Sequence, residues 1–274
     1  MKIVIDSSKK VLKFVELFKM IKSLNDYCTI YCKEDGLFIQ VMDDARVSLL
    51  NINIDKGWFK DYDSTIESIS FNAKYISIIL AMYQPNCVVT FVNNDEFMNI
   101  ILNYADGSEK TFEIHLVDIE TDIMESQEIE HSLDFSINTK KLDNYINDMQ
   151  LFGDTLELIY INDAIYMRSF GENGKYQLKL GCDLLENFVV EEDLKLYCKV
   201  SLKFPNLISK LYSTFKSISI HVSEEAPFVF ELLDKDEEDN KLNIVYYVAP
   251  KIEDDDEFDF SEFDNNELTN EIIE

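Results

Sequence analysis

Cysteine, histidine and adjacent aspartate residues are the groups in this sequence with the chemistry to bind a metal or act as nucleophiles. The cysteines are Cys28, Cys32, Cys87, Cys182 and Cys198. No Cys-x-x-Cys pair occurs, and the three histidines are scattered at positions 115, 131 and 221. Cys28 and Cys32 lie four apart in a predicted strand and would share one face. We favour buried free thiols, with a metal site as the alternative.

The Asp43-Asp44 pair is the other arrangement that suggests metal chemistry. Adjacent residues of a strand point to opposite faces, so these two carboxylates are poorly placed to share one ion. The sequence contains no P-loop, GxSxG, HExxH or GxGxxG motif. We therefore expect a surface turn at Asp43-Asp44, and we expect no metal, no cofactor and no enzymatic activity.

Charge limits the ways in which this chain could bind nucleic acid. The 274 residues carry a formal net charge of −28, which argues against tight contact with DNA phosphates. Arg46 and Arg168 are the only arginines, so reading of base edges is not expected, although lysines remain for phosphate contacts. The sequence lacks both a run of bilayer length and a signal-peptide pattern, which predicts a soluble intracellular protein without membrane contact.

The last residues of the chain are strongly acidic. Residues 253–274 contain eleven Asp or Glu and no Lys or Arg, with Phe258, Phe260 and Phe263 among the acids. This composition predicts a disordered tail that repels itself and is solvated. Docking of the aromatic and acidic pattern on a basic partner is the alternative.

A pattern of predicted elements occurs twice along the chain. Residues 8–21 form an amphipathic helix with lysines on its outer face, and residues 139–152 have the same character. A second helix is predicted at 72–82 and again 132 residues later, at 204–214. A hairpin follows the first helix of each copy, and a strand meander follows the second. The repeat predicts an α+β fold with two similar domains, each with antiparallel sheet and two helices.

The composition also marks the boundaries of these domains. We predict an N-terminal domain at 1–116, an acidic connector at 117–131, a C-terminal domain at 132–252 and a disordered acidic tail at 253–274. The connector lacks regular periodicity and contains an Ile123-Met124 pair that is expected to be exposed.

Several segments resemble the DNA sliding clamp family that includes proliferating cell nuclear antigen. They are LFIQVMDDARVSLLNINI (37–54), FGDTLELIY (152–160), KYQLKLG (175–181) and VYYVAPKIEDDD (245–256). The resemblance extends over residues 1–256. It implies a homotrimeric ring of six domains, with sheets outside and helices lining the hole. Such a ring would encircle duplex DNA without reading its sequence and would act as a polymerase processivity factor.

The resemblance also assigns expected roles to individual residues. The residues expected to face DNA are Lys9, Lys10, Lys13, Lys74, Lys140, Lys141, Lys210 and Lys216. The residues expected to line a pocket for partner peptides are Met42, Arg46, Val47, Ile123, Met124, Pro227, Tyr247, Val248, Ala249 and Pro250. The residues expected at the subunit interface are Lys110, Phe112 and Ile114 on one edge strand and Tyr176, Leu178 and Leu180 on the other.

The implied partners are double-stranded DNA, a DNA polymerase, a clamp loader and other proteins that carry clamp-docking peptides. The implied location is the nucleus, or a cytoplasmic replication site if the chain is viral. Two further hypotheses remain open from the sequence. One is a heteromeric checkpoint-type subunit or a viral processivity subunit that forms no ring. The other is an acidic interaction protein, such as a DNA mimic or a histone chaperone.

Overall fold

The computed structural model describes residues 1–94, 96–119, 122–124, 129–224, 226–251 and 258–264. These residues form eighteen strands and five α-helices. The strands are β1 (Lys2–Ile5), β2 (Tyr27–Lys33), β3 (Gly36–Met42), β4 (Ser48–Asp55), β5 (Asp61–Asp63), β6 (Ser68–Asn72), β7 (Val88–Asn93), β8 (Phe97–Asn103), β9 (Glu109–His115), β10 (Leu133–Asn138), β11 (Thr155–Ile161), β12 (Ala164–Gly171), β13 (Gly174–Gly181), β14 (Glu186–Val190), β15 (Leu196–Ser201), β16 (Ser217–Val222), β17 (Phe228–Lys235) and β18 (Lys241–Val248). The helices are α1 (Ser8–Leu24), α2 (Ala73–Leu80), α3 (Thr139–Met149), α4 (Lys203–Ser209) and α5 (Ser261–Asp264).

The order of elements repeats once, as the sequence predicts. Strand β1, helix α1, strands β2 to β6, helix α2 and strands β7 to β9 form the first copy. Strand β10, helix α3, strands β11 to β15, helix α4 and strands β16 to β18 form the second. The predicted α+β fold with two similar domains, antiparallel sheets and two helices in each is therefore confirmed.

The two domains share a sheet. In the described chain, nine strands pair in the order β14-β10-β16-β17-β18-β4-β3-β2-β6, and two smaller sheets have the orders β5-β1-β7-β8-β9 and β13-β12-β11-β15. The antiparallel pairing of β4 with β18 joins the first domain to the second, from Ser48 opposite Val248 to Ile54 opposite Leu242. Strands β9 and β13 lie at the edges of the two smaller sheets.

The helices form where the apolar residues recur at helical spacing. In α1, Val11, Phe14, Val15, Phe18 and Ile21 are all buried, and the helix continues beyond the predicted end to Leu24. Helices α2 and α3 each begin at an asparagine that caps the helix: the side chains of Asn72 and Asn138 accept hydrogen bonds from the backbone N–H groups of Lys74 and Lys141. Helix α1 packs against α2 and also crosses the domain boundary to contact α4.

Most of the buried apolar side chains form one continuous core through both domains, and Trp58 and Tyr246 are the largest of those fully buried. A separate small cluster surrounds Phe263 on the second domain. Within the described ranges, the five cysteines are unpaired thiols, and no cluster of three or more His, Cys, Asp or Glu side chains is placed to hold a metal ion. No helix in those ranges is long and apolar enough to span a membrane.

Candidate functional site

A cleft of about 680 Å³ lies between the connector and the outer face of the first-domain sheet. Strands β2, β3 and β4 form its floor, and Ile119, Asp122 and Met124 of the connector form its upper wall. The floor and the side wall are formed by Asn25, Tyr27, Cys28, Thr29, Tyr31, Gln40, Val41, Met42, Arg46 and Leu49. The cleft combines apolar and aromatic surface with a few amide and charged groups, which suits the docking of a short peptide.

Strand alternation places a row of side chains on this outer face. Met42 lies opposite Leu49 on the neighbouring strand, and Leu49 lies opposite Tyr247 on the next. Residues that are directly opposite one another in an antiparallel sheet point to the same side. All three side chains are half-buried. Ser48 and Val248, the chain neighbours of Leu49 and Tyr247, point to the other face of the sheet and are buried in the core. The row therefore continues from the cleft floor across the domain boundary to Tyr247, which lies outside the cleft lining.

Gln40 holds the connector above the sheet. Its side-chain oxygen accepts a hydrogen bond from the Met124 N–H at 2.8 Å, and its side-chain nitrogen donates to the Met124 carbonyl at 3.0 Å. The same nitrogen lies 3.0 Å from the side-chain oxygen of Asn51, which fixes the amide orientation. Because one side chain satisfies both backbone groups of Met124, the connector has a defined anchor at the middle of the cleft.

The Asp43 carboxylate organises the turn that presents Arg46. One oxygen accepts hydrogen bonds from the N–H groups of Val47 at 2.8 Å and Ser48 at 2.6 Å. Arg46 adopts a left-handed backbone conformation with φ of 57°, and its side chain is exposed at the edge of the cleft. The expected surface turn is present, but Asp43 itself is buried because it serves the backbone of that turn.

The structure brings together only part of the pocket expected from the sequence. Met42, Arg46 and Met124 line the cleft, whereas Ile123 is exposed outside it and Val248 is fully buried in the core. Pro227, Val47, Tyr247, Ala249 and Pro250 lie outside the cleft lining. Ala249 donates its N–H to the Val47 carbonyl, so this end of the chain lies beside the Asp43 turn.

Sequence reasoning missed several residues that line the cleft. Leu49, Tyr27, Tyr31 and Ile119 contribute to its walls. Leu49 could have been predicted, because the turn at Asp43 places it opposite Met42 on the neighbouring strand, and directly opposite residues point to the same face. Tyr27 and Tyr31 lie on β2, the first strand of the hairpin that the sequence predicts, but the sequence does not indicate that the connector lies over this strand.

Carboxylates pair with half of the lysines that were expected to face DNA. Lys10 forms a salt bridge with Asp236, with Nζ and Oδ2 2.9 Å apart, and Lys13 forms one with Asp234. Both cross the domain boundary. Lys140 and Lys210 both bond Asp143, at 2.9 and 2.8 Å. Within the described residues, Lys9, Lys74, Lys141 and Lys216 have no carboxylate at salt-bridge distance.

The carboxylate of Asp143 connects two helices of the second domain. Its side chain is only 2% exposed, on α3, between Lys140 of the same helix and Lys210 at the end of α4. Burial alone would raise the pKa of this carboxyl, but the hydrogen bonds from Lys210 and Lys140 outweigh it, and the pKa lies below its usual value. Asp143 is therefore charged at neutral pH and offsets the charge of both lysines.

Comparison with known proteins agrees with this architecture. Residues 7–145, slightly more than half of the chain, match the family model described as proliferating cell nuclear antigen, N-terminal domain. A probable DNA polymerase sliding clamp 2 of Paramecium bursaria Chlorella virus 1 is 27% identical over 257 residues, which cover 92% of this chain and 91% of the relative. The proliferating cell nuclear antigen of Saccharomyces cerevisiae is 24% identical, over 88% of this chain and 98% of its own.

A solved structure gives the same result for the fold. The PCNA2–PCNA3 complex of Sulfolobus tokodaii matches with a TM-score of 0.80 and 16% identity, covering 92% of this chain and all of the matched one. Fold and relatives together define the class as the DNA sliding clamps, whose function is polymerase processivity and whose members are non-enzymatic scaffolds. Within that class, the chain belongs to the proliferating cell nuclear antigen family, as its sequence motifs predict.

Proposed function

We propose that three copies of this chain close into a ring around duplex DNA and tether a DNA polymerase and other DNA-processing proteins. One observation carries the proposal: the chain contains, at its centre, the junction that would close such a ring. Strand β4 pairs with β18, and helix α1 contacts α4, where the first domain meets the second.

The strands that correspond to the two sides of this junction in the repeat lie at the edges of the two smaller sheets. In the repeat, β13 corresponds to β4, β9 to β18, α3 to α1 and α2 to α4. Strands β9 and β13 have an unpaired edge each in the described chain, which is a template for pairing with another chain. A second copy that joins β9 to β13 repeats the internal junction, and a repeated head-to-tail contact gives a ring when its rotation closes, which we propose for three copies.

Charge on the two edges supports a specific register. The outer face of β9 carries Glu109 and Glu113, and that of β13 carries Lys175 and Lys179, all four exposed. Both pairs are four residues apart, so an antiparallel register that places Glu113 opposite Lys175 also places Glu109 opposite Lys179. Opposite charges directly across two strands are stabilising.

The inner faces of the same edges are apolar. In this register Phe112 lies opposite Tyr176, and both side chains are half-buried on the inner faces of their strands. An open groove of about 720 Å³ runs between β9 and α2, where the side chains of Tyr75, Ile78 and Met82 are exposed. Exposed apolar surface beside an unpaired strand is typical of an interface between subunits.

A closed ring holds DNA by topology, so strong contact with phosphates is not needed. The charge pairs described above leave Lys9, Lys74, Lys141 and Lys216 as the cations proposed to meet phosphates, directly or through water. The net charge of −28 opposes non-specific adsorption elsewhere on DNA. The ring itself is proposed to catalyse nothing.

The cleft under the connector is the proposed docking site for partner peptides. Its apolar floor, with Met42 and Leu49, suits the side chains of a short amphipathic segment, and Met is adaptable to different shapes. The proposed partners are a polymerase, a clamp loader and other proteins with docking peptides. The proposed location is the nucleus, or a cytoplasmic replication site if the chain is viral.

Two measurements test the proposal. Light scattering after gel filtration is expected to give a mass of about 96 kDa, three times the 32.0 kDa of one chain. After incubation with a clamp loader and ATP, the protein should remain on nicked circular DNA and be lost when the circle is linearised. A monomer at micromolar concentration would instead favour a subunit of a heteromeric clamp, and retention on linear DNA would contradict topological binding.

A further inference from the structure

The acidic end of the chain contains a segment that packs on the second domain. Phe258 stacks on Tyr197 with ring centres 3.8 Å apart, and Phe263 contacts Tyr166 at 4.7 Å. Phe263 is only 3% exposed, among Ile159, Ile161 and Ala164 of the sheet. The sequence predicts a solvated tail here, but residues 258–264 bury aromatic surface against the outer face of β11, β12 and β15.

Arg168 is at the centre of this contact. Its side chain is 6% exposed, and one terminal nitrogen donates to the Glu262 carboxylate at 3.1 Å while the other donates to Glu157 at 3.0 Å. The guanidinium lies 5.5 Å from the ring centre of Phe258 and 5.1 Å from that of Phe263. Its Nε atom is buried and has no hydrogen-bond partner within the described residues. A buried arginine with this geometry recognises a carboxylate and an aromatic ring together.

The face that receives this segment corresponds to the floor of the connector cleft. Arg168 is the fifth residue of β12 and lies opposite Glu157, as Gln40 is the fifth residue of β3 and lies opposite Thr29. Gln40 binds the segment that follows the first domain, and Arg168 binds the segment that follows the second. The two domains therefore use one position of the repeat in the same way.

We propose that the outer face of β11, β12 and β15 is a second peptide-docking site, and that residues 258–264 are its resident ligand. The ligand class is an acidic peptide with phenylalanines spaced as in F-x-F-x-x-F. Arg168 pairs with its carboxylate, and the ammonium of Lys195 lies 5.7 Å from the ring of Phe260. This proposal does not depend on ring formation, because every contact lies within one chain.

The tether makes the resident ligand a competitor for external peptides. A segment joined to its site by a short linker acts at an effective concentration of about millimolar. A partner peptide must therefore bind tightly enough to compete with this concentration, or the segment must first be released. The site is therefore closed to weak ligands until residues 258–264 detach.

The test uses the full-length chain and a fluorescent peptide of residues 256–266. In the double variant Phe258→Ala and Phe263→Ala the tail is released, and fluorescence anisotropy should show peptide binding at least tenfold tighter than to the unchanged chain. A peptide with Glu262→Lys or Phe263→Ala should lose at least tenfold in affinity for the released chain. These peptide changes cannot affect folding of the protein.

Two variants that each remove one cation, both made in the released chain, provide the comparison. Arg168→Gln should lower peptide affinity at least tenfold, whereas Lys22→Gln, on the exposed surface of α1 and outside both clefts, should leave it unchanged. Equal binding to the released and unchanged chains would overturn occupation of the site by residues 258–264. Failure of the peptide to bind the released chain, or binding that is insensitive to both peptide substitutions, would overturn the site itself.

Discussion

Gln40 and Arg168 occupy equivalent positions in the two domains, and each holds the segment that leaves its own domain. Gln40 does so with two hydrogen bonds to the backbone of Met124, and Arg168 with an ion pair to Glu262. An amide binds backbone independently of sequence, whereas a guanidinium selects an acidic segment. The two domains therefore use the same position to bind the segment that follows each of them, but the side chain at that position, and the group it binds, differ.

Replacement of Gln40 by Ala should loosen the connector without unfolding the sheet. Both hydrogen bonds to Met124 are lost, and each contributes on the order of 1 kcal/mol. Hydrogen exchange of the Met124 amide should become about tenfold faster, while exchange in the strand β3 core should not change. A Gln150→Ala variant, at the exposed end of α3, is the control and should leave the Met124 amide unaffected.

The edge strands predict a charge-reversal experiment on assembly. Lys175→Glu combined with Lys179→Glu should weaken the proposed pairing of β13 with β9, because like charges would then face Glu113 and Glu109. Light scattering should show a shift toward smaller species at micromolar concentration, by more at low than at high salt.

The matched rescue reverses the acidic edge as well. Adding Glu109→Lys and Glu113→Lys to the same chain exchanges the charges and should restore the original mass. A double variant that assembles like the unchanged chain, or a quadruple variant that stays dissociated, would argue against this register.

Local patterns account for most of what the sequence predicted correctly. The apolar stripe of α1 and the alternation of the hairpins depend on residues a few positions apart, so they were readable from the chain. The charge pairs were not, because Lys10 and Lys13 meet Asp236 and Asp234 only after the whole chain has folded.

The docked position of the acidic tail was even harder to predict from the sequence, because it also depends on residues that are distant along the chain. The acidic composition of residues 253–274 predicts repulsion and solvation, and the aromatic residues alone do not specify a binding site. Tyr166 and Arg168 come from β12 and Tyr197 comes from β15, and only the pairing of both strands with β11 brings them together. The prediction that Val248 lines the pocket could have been avoided from the sequence. Val248 and Tyr247 are adjacent in a strand and so point to opposite faces, and only one of them can face the pocket.

His221 predicts a pH dependence of stability near neutrality. Hydrogen bonding to Glu231 and then to Asp134, whose carboxylate is 2.7 Å away, outweighs burial and raises the pKa of the imidazole. A group with a raised folded-state pKa stabilises the fold fully below its unfolded pKa of about 6.5, and this contribution is lost as pH rises through the folded value. The free energy of unfolding of the unchanged chain, relative to His221→Gln, should therefore decrease as pH rises above 6.5.

Urea unfolding at fixed protein concentration, followed by circular dichroism, measures this difference. The His115→Gln variant is a suitable control, because the His115 ring packs on Phe97 rather than between carboxylates. A difference between His221→Gln and the unchanged chain that stays constant from pH 6 to pH 8 would contradict the role of His221.

The salt bridges of Asp143 with Lys140 and Lys210 lead to a prediction about the affinity of this protein for duplex DNA. The variant Asp143→Asn removes the charge that offsets Lys140 and Lys210 and keeps the shape of the side chain, but it replaces one of the two acceptor oxygens with an NH2 donor. If these lysines face DNA, they become available to phosphates, and affinity for duplex DNA should rise at low salt. The plot of log affinity against log salt should steepen by up to about 2, because each phosphate contact contributes slightly less than one unit.

The control must remove the same charge from the same helix without releasing a lysine. Asp148→Asn does this, since Asp148 is exposed on α3 and forms no salt bridge within the described residues. A change in salt slope for Asp143→Asn but not for Asp148→Asn would place Lys140 and Lys210 on the DNA-facing side. Equal slopes for both variants would instead mean that only the overall charge matters, and that these two lysines serve α3 and α4 rather than DNA.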